Sequence, residues 1–180
     1  EGLEDLSFSH LIPEARDSIM QRTEFLRDQG DALTVGIIQQ LREDVSDVGL
    51  DTVEINGRIK TPYSIWKKMQ TKDLDLGQLS DIVAFRVIVP TLGDCYAALG
   101  ALHAKYSHRM GRYKDYISTP KPNGYQSIHT VVIGPESQSI EVQIRNQDMH
   151  RRAELGLAAH WAYKDGTVAA ALASGDNYNW

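Results

Sequence analysis

Apolar positions recur at helical spacing through the first quarter of the chain. Ala15, Ile19 and Leu26 predict a helix over 14–29, ended by Gly30. Leu33, Ile37, Ile38, Leu41 and Val45 form the stripe of a second helix over 31–48. The period then changes. A short strand over 52–55 is expected to break at Gly57. Thr61-Pro62 supplies an N-cap and a proline at the first helical position, so a helix is expected to run to Thr71. Residues 82–89 are an almost unbroken apolar run, the pattern of a central strand covered on both faces. A helix over 93–104 follows, and residues 109–125 read as loop. Strands over 126–133 and 139–145, joined by Gly134-Pro135, are close enough to pair antiparallel. A helix over 148–164 comes last. This order predicts an α+β fold, a mixed β-sheet flanked by α-helices.

Composition narrows the class. The chain has 180 residues, 42% apolar and 24% charged, enough for one soluble domain with a core. No apolar run approaches the ~20 residues that span a bilayer, so no membrane is expected. The lone Cys95 excludes an internal disulfide framework, and no secretory signal is visible; both fit a cytoplasmic protein. The net charge of −5 argues at first against a polyanionic ligand. That total is an average. Residues 1–50 carry 4 basic and 11 acidic side chains, whereas residues 57–129 carry 11 basic and 5 acidic. A phosphate-bearing ligand feels charge within a Debye length of about 10 Å, so the basic central band is what matters.

Four features carry candidate chemistry. Along 139–145, Ile140, Val142 and Ile144 alternate with Glu141, Gln143 and Arg145; the apolar set faces core, the polar set solvent or a cleft. Asp81 opens the other strong strand and pairs in principle with Glu141 as hard oxygen ligands for Mg²⁺. Arg86 lies five residues on, so it shares a cleft with Asp81 only if Asp81 precedes the regular strand or a bulge intervenes. Ser64 and Lys68 stand one turn apart on the helix after Thr61, with Arg58 and Lys60 near its N-terminus, an arrangement suited to phosphate. Finally, Arg112-Tyr113-Lys114-Asp115-Tyr116 and Lys121-Pro122-Asn123-Gly124-Tyr125-Gln126 interleave cations with aromatics, which suits a ligand with phosphates and a flat base.

Taken together, Gly57-Arg58-Ile59-Lys60, Tyr63-Ser64-Ile65, Lys68-Met69, Asp81-Ile82, Arg86-Val87, Arg112-Tyr113-Lys114-Asp115-Tyr116, Asn123-Gly124-Tyr125-Gln126-Ser127, His129-Thr130, Glu141-Val142-Gln143-Ile144-Arg145 and Ala158-Ala159-His160-Trp161-Ala162-Tyr163-Lys164 resemble the (p)ppGpp synthetase domain of long RelA/SpoT-family stringent-response enzymes. The resemblance covers residues 14–180 in the family's order. It implies a nucleotidyltransferase-like fold and a pyrophosphokinase that moves the β,γ-pyrophosphate of ATP to the ribose 3′-OH of GDP or GTP, releasing AMP. By the same resemblance Asp81 binds Mg²⁺, and Glu141 is a second metal ligand or the base for the 3′-OH. Arg58 and Arg86 would sandwich adenine, and Lys60, Ser64 and Lys68 would hold the ATP phosphates. Tyr125 would stack on guanine, with Tyr116, Asn123, His129 and Gln143 in the same acceptor pocket and Lys114 on acceptor phosphates.

The basic Arg112-Tyr113-Lys114-Asp115 loop resembles the variant of bifunctional members and implies a preference for GDP. The chain has no His-Asp dipeptide for a hydrolase metal site. Residues 1–12 are expected to be a linker remnant from an absent hydrolase domain, and 13–180 a synthetase domain truncated at its C-terminus. The regulatory domains that follow it in such parents, and any ribosome link made through them, are expected to be missing. Two competing readings are a catalytically silent guanine-nucleotide sensor and an RNA-binding module.

Overall fold

A computed structural model describes residues 13–60, 63–65, 67, 80 and 83–162. The two helices expected before residue 50 are one, α1 (Pro13–Ser46), which continues through Gly30. A mid-helix glycine costs about 1 kcal/mol against alanine, and intact turns on both sides outweigh it. The stop lies at Gly49 instead. Its φ of +85° suits glycine, and Leu50 N–H donates to Val45 O (3.1 Å) while Gly49 N–H donates to Ser46 O (2.9 Å). This is the glycine-terminated cap in which the flanking apolar pair, Val45 and Leu50, is buried.

Five strands follow in the spatial order β1 (Glu54–Ile59), β2 (Val83–Val89), β5 (Ser139–Asn146), β4 (Ile128–Ile133) and β3 (Lys114–Asp115). Only β2 and β5 run parallel, so the sheet is mixed, as expected. Between β2 and β3 lies α2 (Leu92–Lys105), whose N-cap Thr91 accepts from Asp94 N–H at 3.1 Å. After β5 comes α3 (Gln147–Ala162). Two strand expectations need correction. Gly57 does not break β1 but pairs with Phe85 inside it. A Cβ at Gly57 would lie 2.7 Å from Thr34 Cγ2 of α1, so glycine is there to let helix and sheet approach. The span 109–125 is not all loop, because Lys114–Asp115 pairs with Ile128–His129. Residues 63–65 and 67 are helical; the cap expected at Thr61-Pro62, the rest of that helix, residues 1–12 and residues 163–180 lie outside the described residues.

The alternation of the strands sorts the sheet into two faces. Val83, Phe85, Val87, Ile140, Val142, Ile144, Ile128 and Val132 bury one face under Ile37, Leu41 and Val45 of α1 and Cys95, Ala98 and Leu102 of α2. The two helices are clamped by Asp44, which is 2% exposed. Its carboxylate accepts from Gln40 (3.1 Å), from the Tyr106 hydroxyl (2.5 Å) and from Lys105. Among the described residues no helix is long and apolar enough to cross a membrane.

Candidate active site

The opposite face is polar, and the strand register places its side chains in rows. Asn56 pairs with Arg86, Arg86 with Gln143, Gln143 with His129, and His129 with Lys114. One row of hydrogen-bonding side chains therefore crosses all five strands, while Ile55, Val87, Ile144 and Ile128 form the next row on the core side. A parallel polar row runs Arg58, Ala84, Glu141, with the small Ala84 leaving a notch between cation and carboxylate. The polar set of β5 is not solvated: Glu141, Gln143 and Arg145 are all buried. The helix α3 covers this end, through an Arg145 Nη2 to His150 Nδ1 contact of 2.8 Å and an Arg86 to Glu154 ion pair at 3.8 Å.

On the β1 side of this face, Lys60 follows the last residue of β1 and reaches over β2 to β5. Its ammonium pairs with Glu141 and donates to Ser80 O at 2.6 Å. Both side chains are about nine-tenths buried, at 11% and 10% exposure, so this pair is screened far less than a surface one. A buried carboxylate beside a backbone carbonyl is a hard oxygen donor set of the kind Mg²⁺ takes, with phosphates and water completing the shell. Asp81, the residue after Ser80, and Lys68 lie outside the described residues. Among the described residues there is no cluster of three His, Cys, Asp or Glu side chains able to hold a metal ion. Nearby Arg86 has its pKa brought down to about 10, first by burial and then by the charges of Arg145 and Arg58.

A second cluster lies beside β3 and β4. Tyr125 is 3% exposed and shares a bond of 2.7 Å between its hydroxyl and His129 Nε2. Tyr116 meets both rings edge-on, with centroids 6.4 Å from Tyr125 and 5.4 Å from His129. The Lys121 ammonium lies 4.9 Å and 5.2 Å from the Tyr116 and Tyr125 centroids. Burial pushes the Lys121 pKa down and the Tyr125 pKa up. Three local devices hold this loop. Asn123 Oδ1 accepts from Tyr125 N–H (3.0 Å), and Gly124 takes a φ of +85° in the turn. Asp115 Oδ1 accepts from the N–H groups of Ile117 (2.9 Å) and Ser118 (3.0 Å), and Asp115 Oδ2 from the Tyr96 hydroxyl of α2 (2.9 Å).

The structure thus brings Arg58, Lys60, Arg86, Glu141, Gln143, His129 and Lys114 to one sheet face, with Tyr116, Asn123 and Tyr125 on the adjoining loop. Ser64 is helical and half-buried. Asn56, Arg145, His150 and Glu154 also lie on this face and were not singled out as site residues from sequence. Arg145 continues the alternation of Glu141 and Gln143, so a signal for it was present. His150 and Glu154 on α3 carry none, because only the packing of α3 onto the sheet brings them there.

A mixed sheet with helices on both faces, one row of polar side chains across it and a buried lysine–carboxylate pair reaching from β1 to β5 make this an α+β domain with its charged and polar side chains gathered on one face. Residues 57–168 match a family model described as "Region found in RelA / SpoT proteins", so the chain belongs to the RelA/SpoT family. It is 44% identical, over 184 aligned positions and 99% of its length, to a GTP pyrophosphokinase of Photobacterium angustum. A GTP pyrophosphokinase of Escherichia coli is 43% identical over 180 positions. In both cases the chain spans 24% of the relative's length, about a quarter. Among solved structures it resembles the small alarmone synthetase 1 of Bacillus subtilis bound to its product pppGpp, with a TM-score of 0.58 and 27% identity over 83% of this chain and 84% of that one. The small alarmone synthetase 2 of the same organism gives a TM-score of 0.55 at 26% identity, over 87% of this chain and 84% of that one.

Proposed function

We propose that this chain is the (p)ppGpp-synthesising module of a longer, cytoplasmic RelA/SpoT-family enzyme. It transfers the β,γ-pyrophosphate of ATP to the 3′-OH of GDP or GTP. The 3′ oxygen bonds to the β-phosphorus, the bond from that phosphorus to the α-phosphate oxygen breaks, AMP leaves, and the 3′ proton passes to a base. The observation that carries this reading is the polar row, because it runs from the cationic β1–β2 side to the Tyr125 cluster and can serve two nucleotides side by side. Arg58 and Arg86 take the adenine, and Lys60, Ser64 and Lys68 the donor phosphates. Tyr116, Asn123, Tyr125, His129 and Gln143 take the guanine side, with Lys114 on its phosphates.

Two polyanions repel, so the site needs cations near both. Mg²⁺ held by Asp81 and Glu141 would neutralise phosphate charge and acidify the 3′-OH. Lys60, which holds Glu141 in this structure, turns to the ATP phosphates when donor binds and frees the carboxylate for proton removal. The remaining task is positioning, which a row on a rigid sheet performs well. The basic Lys114 loop favours GDP over GTP. The parent's hydrolase and regulatory domains, and any ribosome contact, belong to chain outside these 180 residues. Incubating the chain with ATP and either GDP or GTP, with Mg²⁺ or EDTA, tests the reading. Metal-dependent formation of a guanosine product bearing two more phosphates, together with one AMP each, is expected; its absence with both acceptors refutes the assignment.

A further inference from the structure

Arg145 is the one charged side chain of the β5 face that the proposed transfer does not use. It is fully buried, yet its Nε and Nη1 make no hydrogen bond, and among the described residues it has no carboxylate within ion-pair distance. Arg58 and Arg86 act on it with like charge, and Glu154 offers partial compensation from α3. A buried charge without a full partner costs several kcal/mol, so packing alone does not explain it. Its contacts point elsewhere. Nη2 meets His150 Nδ1 at 2.8 Å; arginine only donates, so His150 accepts there and carries its proton on Nε2. Arg145 also interacts with Tyr125. It therefore sits where β5, the first turns of α3 and the acceptor loop meet.

We propose that Arg145 is a positioning residue for the acceptor nucleotide, holding Tyr125 and, through His150, the start of α3 in the geometry that receives the flat base. The proposal rests on the acceptor pocket assigned above. It explains why Gln143, two residues earlier on the same face, also has a buried amide oxygen without a partner: this part of the sheet is arranged around a ligand, not around its own side chains.

Arg145→Met separates this role from a structural one. Removing a poorly paired buried charge for an apolar side chain of similar length leaves the melting temperature unchanged or raises it. GDP affinity, read by calorimetry, falls about tenfold or more, while affinity for a non-hydrolysable ATP analogue changes by less than about threefold. In nitrogen-15 NMR the His150 ring loses its fixed Nε2–H tautomer and titrates at higher pH. In the wild type, burial and then Arg145 hold it down, with Arg86 adding to them and Glu154 and Glu54 opposing. Arg145→Lys, which keeps charge but loses the fork, restores part of the GDP affinity. A lower melting temperature with both affinities intact, equal losses for both nucleotides, or an unmoved His150 signal would each overturn the proposal. Wild type that binds GDP but forms no product refutes the transferase reading alone, since the binding comparison still stands. Wild type that binds no GDP overturns both.

Discussion

Gly57 gives a perturbation whose sign can be reversed by a single methyl group. An alanine Cβ there would sit 2.7 Å from Thr34 Cγ2, with Phe85 Cε1 at an ordinary 3.4 Å and Ile38 Cδ1 at 3.7 Å. Only the threonine methyl is too close. Overpacking of this kind costs about 1–3 kcal/mol. Thr34 has two accessible χ1 wells in a helix, which places Gly57→Ala at the low end, about 1–2 kcal/mol. For a chain of this length that lowers the melting temperature by about 2–8 °C. Thr34→Ser removes the offending atom. In that background alanine at 57 meets no close contact, and its smaller unfolded-state entropy leaves it neutral or stabilising by about 0.5 kcal/mol. Circular-dichroism melts of the wild type, both single variants and the double variant measure the coupling. Because Arg58 is the next residue on β1, the KM for ATP should rise in the single Gly57→Ala variant and recover in the double. If Gly57→Ala is harmless alone, or Thr34→Ser fails to rescue it, the close approach of α1 to β1 is not what selects glycine.

Three further outcomes follow from other contacts. Asp44→Ala strips the Tyr106 hydroxyl, Lys105 and Gln40 of their shared buried acceptor and should cost about 2–4 kcal/mol in urea unfolding; a loss below about 1 kcal/mol would contradict the clamp. Burial tends to raise the Asp115 pKa, but the Ser118, Tyr96 and Ile117 bonds outweigh it and the net shift is downward. Its stabilisation is therefore present above the ordinary aspartate pKa of about 3.9 and lost as pH falls through the lower folded value. The melting-temperature gap between wild type and Asp115→Ala should be constant above pH of about 5 and close only in stronger acid. A gap that closes near neutrality would contradict this. Lys60→Met should remove the Lys60 ammonium from Glu141 and both reduce turnover and raise the KM for ATP, whereas an unchanged KM would remove Lys60 from the donor phosphates.

Much of this site is legible in the alternation of β5 and in the spacing of its cations, because strand period alone puts Glu141 and Gln143 on one face. The mixed sheet was legible in the alternation of strands and helices, broken by the short Gly134-Pro135 connection that lets the last two strands pair antiparallel. Glycine was the weak point. Gly30 and Gly57 read as breakers from local rules, yet one is carried inside a long helix and the other marks a close contact between α1 and β1, and Gly49 does the stopping. Whether a glycine ends an element depends on what packs against it, which local sequence does not encode. The same holds for His150 and Glu154: their part in the face comes from the docking of α3, a long-range event. Tyr125 illustrates a different limit. Aromatic character suggested stacking, but only the fold shows the ring enclosed by Tyr116, His129 and Lys121. The proposed stacking of guanine on this ring therefore requires Lys121 or Tyr116 to move aside.

The most direct test of the central claim follows the β and γ phosphates of doubly labelled ATP in the presence of GDP and Mg²⁺, for the wild type and for Glu141→Gln, with AMP counted alongside. Wild type is expected to move both labels together to the guanosine 3′ position with one AMP released per transfer. Glu141→Gln should keep its fold by circular dichroism and lose transfer by about a thousandfold or more. Near-wild-type transfer by folded Glu141→Gln, or transfer of the γ label alone with ADP as by-product, would contradict that claim.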